Sequence, residues 1–320
     1  MSKKTKIGLI VAACLVLAGG ALIGMAIQMA EGDFMKLSTK KYDTTEHMPA
    51  GEFRDIVIET DTADIAIVPA EVTKIVCYEQ ENAKHTVSVD NGTLTIQVQN
   101  NKKWYDHIGI IFGSPKITVY MPAGEYGSMT VRSDTGGVQI PADFAFTDMD
   151  IRESTGIVKS CASVSGDMKI KTSTGSITLE DLTAGSLELT VSTGKITVLD
   201  VTCQGDMTVN VSTGKAGLTN VKCRNFASNG NTGDLYLDNV IAAEKFTIER
   251  STGDVDLEGC DAAEITVTTD TGHITGSLLS EKVFIAHTDT GRVEVPHTLS
   301  GGKCELTTDT GNIKIEIAPK

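Results

Sequence analysis

The sequence predicts an all-β protein: a parallel β-solenoid (β-helix) of 19–20-residue coils, preceded by one N-terminal transmembrane helix. Three observations predict it. An uncharged run lies near the start, a Thr-Gly pair recurs at a nearly constant interval, and apolar residues sit at fixed distances from each pair.

The uncharged run extends from Ile7 to Ala30, 24 residues where about 20 cross a hydrocarbon core as a helix. Lys3, Lys4 and Lys6 precede it, so residues 1–6 read as a basic cytoplasmic tail and 7–30 as the membrane span. Positive charge stays inside, which places the N-terminus in the cytoplasm and the solenoid outside the cell membrane. A cleaved signal peptide is the rival, with Gly24-Met25-Ala26 as its small-x-small site, although the apolar run is long for one. Val11-Ala12-Ala13-Cys14 resembles a lipobox, but sixteen uncharged residues follow Cys14, which is the wrong shape.

Residues 31–50 are polar and without period, a linker. Residues 51–130 read as a β-rich cap or as irregular early coils. Short β-rich runs occur at Ile56–Ile58, Ile65–Val68, Ile75–Tyr78 and Ile117–Tyr120. Thr86–Val89 and Leu94–Val98 flank Asp90-Asn91-Gly92, which predicts a tight hairpin. A solenoid needs such a cap, because an open end exposes unpaired backbone and apolar surface.

Residues 131–320 carry the regular repeat. Its glycines are Gly136, Gly156, Gly175, Gly194, Gly214, Gly233, Gly253, Gly272, Gly291 and Gly311, each preceded by Thr and, before that, by Ser, Asp or Asn. Glycine accepts positive φ, so these are the expected corner residues. The Ser, Asp or Asn two before each caps the turn through a backbone N–H. The second and fourth residues after the glycine are usually apolar: Ile177 and Leu179, Ile196 and Val198, Leu235 and Leu237, Val255 and Leu257, Val293 and Val295. A further apolar residue falls at the seventh place, from Leu182 to Leu279, and a second strand precedes the next glycine. One coil cannot bury these residues alone; stacking coil on coil does, giving a rod of roughly 43 Å at about 4.8 Å per step.

Net charge is −14, and setting aside the three N-terminal lysines leaves −17 on the rest. No Lys/Arg stripe appears anywhere after residue 6, so nucleic acid is not an expected partner. No phosphate loop, G-x-S-x-G or H-E-x-x-H is present, and no catalytic residue or cofactor is assigned. No metal site is assigned either. His273 and His287 fall on neighbouring coils at different registers, without a third ligand. Asp270, Asp289 and Asp309 fall on successive coils, where turn capping accounts for them without calcium. Cys203 and Cys223 stack one coil apart, within reach of a disulfide but better read as small core fillers. The main irregularity is residues 99–114, where Trp104, Tyr105 and His107 form either a contact loop or an aromatic cover over the rod.

The [SD]-T-G-x-[IV]-x-[LIV] repeats, as in Ser173–Leu179, Ser192–Val198 and Ser251–Leu257, follow a strand ending Val119-Tyr120-Met121-Pro122. With the N-terminal span, this pattern resembles a bacterial domain-of-unknown-function family labelled "putative adhesin", over about residues 50–317. The resemblance implies a non-enzymatic scaffold or adhesin-like binding protein at the cell surface. It supplies no catalytic residues. The partners this leaves are the membrane, through residues 7–30, and a cell-wall glycan or another envelope protein. Two alternatives stand beside it: a polysaccharide-acting β-helix enzyme, for which the even coils leave no long loops, and a polymerising solenoid of the bactofilin type.

Overall fold

The computed structural model describes residues 3–29, 42–100 and 113–318. Helix α1 (Lys3–Met29) is long and apolar enough to cross a membrane, a property it shares with signal sequences. Every other element among the described residues is a strand, and together they form a β-solenoid that is parallel apart from several antiparallel pairs near the N-terminal end.

The strands preceding the regular coils are short. They are β1 (Tyr42–His47), β2 (Asp55–Thr62), β3 (Asp64–Pro69), β4 (Lys74–Gln80), β5 (Ala83–Asp90), β6 (Thr93–Asn100) and β7 (Lys116–Met121). The stretch expected as a linker thus ends in a strand: β1 pairs antiparallel with β4, and Tyr42 stacks on Tyr78 at 4.9 Å. The β5–β6 hairpin turns at Asn91 and Gly92, both at positive φ, as the Asn-Gly pair predicts.

The long strands follow as β8 (Gly124–Ile140), β9 (Phe144–Ser160), β10 (Ser163–Cys203), β11 (Asp206–Thr232) and β12 (Leu235–Thr252). At 41 and 27 residues, β10 and β11 run past a full coil because pairing to the next coil continues around the corners. In register, Gly194 lies on Gly214, Ile196 on Ala216 and Val198 on Leu218. The alternating residues Ile177, Leu179, Ile196, Val198, Leu235, Leu237, Val255 and Leu257 are all buried. Each such side chain contributes about 1.5–3 kcal/mol of transfer free energy. Phe226 and Phe246, one coil apart, meet at 4.7 Å.

The corner glycines have a second reason beyond turning. A Cβ on Gly194, at φ +144, would sit 1.8 Å from the carbonyl oxygen of Gly175. Gly156 lacks a positive φ, yet its Cβ would come within 1.6 Å of the Gly136 oxygen. The column is glycine because backbone stacks on backbone there.

A second corner, six residues after Gly175, Gly194, Gly214, Gly233 and Gly253, is held by Asp181, Asp200, Asn220, Asn239 and Gly259, all at φ between 52 and 59°. Asn220 donates to Asp200 at 2.8 Å and Asn239 to Asn220 at 2.9 Å, a side-chain ladder along the rod. Asn and Asp tolerate this left-handed conformation better than other non-glycine residues.

Spatial order departs from chain order at both ends. Coil β2–β3 is sandwiched between β6–β7 and β8: Ile56 pairs with Leu94 on one side and Met129 on the other. The last strands are β13 (Val255–Cys260), β14 (Glu264–Thr271), β15 (Ile274–Leu278), β16 (Lys282–Thr290), β17 (Val293–Glu294), β18 (Gly302–Thr310) and β19 (Ile313–Ile317). Here β18 lies between β14 and β16, with Cys304 on Ile265 and also on Phe284; β19 likewise separates β15 from β17. The C-terminal coil is inserted, and the coil before it in sequence forms the rod's end.

This order corrects several expectations. His273 and His287 are not on adjacent coils; the inserted coil parts them, and Asp309 separates Asp270 from Asp289. Val293 is 41 % exposed and Val295 half-buried, since no further coil covers them. Leu279 turns outward and Leu278 takes the inward place, because the ladder slips between Leu257 and Cys260.

Candidate functional site

Stacking creates residue columns that linear reading hides. Four residues before each corner glycine lies an outward position, and there Glu59 pairs with Arg132, Arg132 with Arg152, and Arg152 with Lys171. Three cations thus line up at strand spacing on a chain of net charge −14. The absence of a basic stripe, read from the linear sequence, is corrected by this column.

Asp150 sits between the two arginines and holds both, at 2.6 Å from Arg132 Nη2 and 3.2 Å from Arg152 Nη2. Lys171 has no ion pair among the described residues and is exposed. Glu59, Arg132, Arg152 and Lys171 form one wall of a groove of about 580 Å³. Asp61, Asp134, Ser154 and Ser173 form the facing wall, and Thr60, Ser133 and Glu153 line it at depth.

Glu153 is the unusual group. It is 3 % exposed, and no hydrogen bond reaches either carboxylate oxygen. Burial pushes its carboxyl up to about 7; the nearby Ser133 hydroxyl lowers it somewhat, while Asp134 and Asp64 add to the rise. Farther along the same inward column lies Arg250, whose guanidinium fills the space over Gly230 and donates to Ser228 at 2.9 Å. Its Nε and Nη1 have no partner, and burial lowers its pKa.

Thr60 connects the groove to a buried cluster. Its Oγ1 lies 3.0 Å from His85 Nε2, and His85 Nδ1 lies 2.8 Å from Glu79 Oε2. The His85 backbone N–H donates to that same oxygen at 2.7 Å. Alternation on β4 places Cys77 beside Glu79 on one face, and the short β4–β5 turn brings His85 back against them. Cys77, Glu79 and His85 are the one group of metal-competent side chains among the described residues. Burial, with the Glu79 carboxylate next, pushes the Cys77 thiol up to about 12.

Of the residues singled out from sequence, Trp104, Tyr105 and His107 lie outside the described residues. Cys203 and Cys223 are both free thiols. His273 Nδ1 accepts from the Asn312 backbone N–H, and His287 pairs with Asp289 on its own strand. Sequence reasoning missed Arg132, Arg152, Lys171 and Glu153. Aligning the repeats on their glycines and reading down the fourth and third positions before it would have found them.

The chain is similar to solved structures of low sequence identity. A "putative lipid binding protein" from Parabacteroides distasonis ATCC 8503 is 14 % identical, with a TM-score of 0.46, over 87 % of this chain and 98 % of that one. A "putative adhesin" from Parabacteroides merdae ATCC 43184 is 10 % identical, with a TM-score of 0.48, over 88 % and 98 %. No curated protein matches the chain in sequence. Residues 53–214 and 202–320 both match one family, so the chain belongs to the Toastrack DUF4097 family.

Proposed function

We propose that the chain is a non-enzymatic, membrane-anchored binding module of the bacterial envelope, and that the groove beside Arg132, Arg152 and Lys171 receives its ligand. Helix α1 is the anchor, with the N-terminus in the cytoplasm and the rod outside, in keeping with the lysines that precede it. The observation that carries the reading is the cationic column on an otherwise acidic protein. Exposed Lys171, beside guanidinium groups that Asp150 holds in place, suits a carboxylate- or phosphate-bearing cell-wall polymer. The facing Ser154 and Ser173 hydroxyls suit sugar hydroxyls. The groove runs across the coils, so an extended polymer could lie along it without any loop moving.

The test is a binding measurement with detergent-solubilised protein and purified teichoic acid and peptidoglycan fragments. Retention that falls at least tenfold in the Arg152→Ala, Lys171→Ala double variant supports the reading. Equal retention by both proteins, or depolymerisation of the polymer by the wild-type chain, overturns it.

A further inference from the structure

We infer that Cys77, Glu79 and His85 form a zinc-class metal site buried between the N-terminal strands and the first coil. This inference stands apart from the groove reading. The ligand atoms of the three residues all lie within 4.8 Å of one another, and all three side chains are buried. A tetrahedral zinc with bonds of about 2.0–2.3 Å holds its ligands about 3.5 Å apart, so a small contraction suffices.

The hydrogen bonding already assigns the roles. Glu79 Oε2 is occupied by the His85 backbone N–H, while Oε1 is buried with no partner. A buried carboxylate oxygen without a partner is costly, and a cation removes that cost. His85 Nε2 faces Thr60 Oγ1, which leaves Nδ1, on the Glu79 side, as the ligating nitrogen. Thr60 then accepts from Nε2–H and fixes the tautomer, the outer-shell role that metal-bound histidines generally require.

Charge and ligand type agree. One thiolate and one carboxylate neutralise a divalent cation, so the filled site adds no net charge to the interior. A sulfur, nitrogen and oxygen set selects zinc over calcium or magnesium. On binding, the Cys77 thiol proton leaves to solvent, and with Nδ1 on the metal the imidazole carries its proton on Nε2.

Because the site is buried, the test refolds the full chain in detergent with zinc or cobalt(II) present, then removes free metal. The inference predicts one tightly held equivalent of zinc. With cobalt it predicts a near-ultraviolet thiolate-to-metal charge-transfer band that Cys77→Ser abolishes and Cys260→Ser retains. Thr60→Val, nearly isosteric, weakens zinc affinity by about 10- to 100-fold while the thiolate band persists at saturating metal. Circular dichroism and thermal melting confirm that each variant is folded. A refolded wild-type chain that holds no metal overturns the inference whatever the variants do. So does a charge-transfer band unchanged in Cys77→Ser.

Discussion

Removing the charge at Glu153 should change how the protein's stability depends on pH. The carboxyl lies 3 % exposed with neither oxygen hydrogen-bonded, and its pKa rises from 4.5 to about 7. A carboxyl raised in the folded state favours the protonated fold. Its contribution is therefore intact below pH 4.5 and is lost as pH climbs through 7, when the charged group must stay buried. The gap of roughly 2.5 units, at about 1.36 kcal/mol each, puts the loss at about 3 kcal/mol. Glu153→Gln keeps the shape without the charge. Urea denaturation at pH 5 and pH 8 should show the wild type losing about 2.5 kcal/mol more than the variant over that interval, since about 0.8 kcal/mol is already lost at pH 5. Parallel pH profiles for the two proteins would show that the carboxylate is solvated or paired, and the reasoning would fail.

Three further outcomes follow from the stacking. Val198→Asp places an unpaired charge at a position 1 % exposed and should cost about 3–5 kcal/mol, read as a lowered melting temperature. Gly194→Ala must push its Cβ past the Gly175 carbonyl, 1.8 Å away, at φ +144. It should lose stability by more than the roughly 1 kcal/mol of an ordinary glycine replacement at positive φ. Deleting residues 300–320 removes the coil that pairs β16 to β14, so amides of residues 282–290 should lose hydrogen-exchange protection while those of β11 keep theirs.

How much of this was legible differs by feature. The Thr-Gly interval announced the coil, and the residues two and four places after it announced its inward face, because a corner and a pleat are local. The second corner was also in the sequence, as Asp181, Asp200, Asn220, Asn239 and Gly259, but it was hidden by their varied chemistry, since Asp, Asn and Gly share only a tolerance of one conformation. The cationic column needed the register, because Arg132, Arg152 and Lys171 look like isolated surface charges until they are stacked. The Cys77–Glu79–His85 cluster has only the alternation of 77 and 79 as a local sign, and His85 joins it through a turn. The insertion of β18 had no sequence signature: its Thr-Asp-Thr-Gly corner repeats that of β14 and β16, so all three coils fit either neighbour.

That insertion is where equivalence by sequence and adjacency in space come apart, and disulfide trapping separates them. Thr266, Ile285 and Glu305 occupy one register, with Glu305 between the other two. Strand spacing of about 4.8 Å allows a disulfide only between immediate neighbours. Cysteine pairs at 266 and 305, and at 285 and 305, should therefore cross-link on mild oxidation, while the pair at 266 and 285 should not. Efficient cross-linking of 266 to 285 would mean that the coils stack in chain order, contradicting the architecture described.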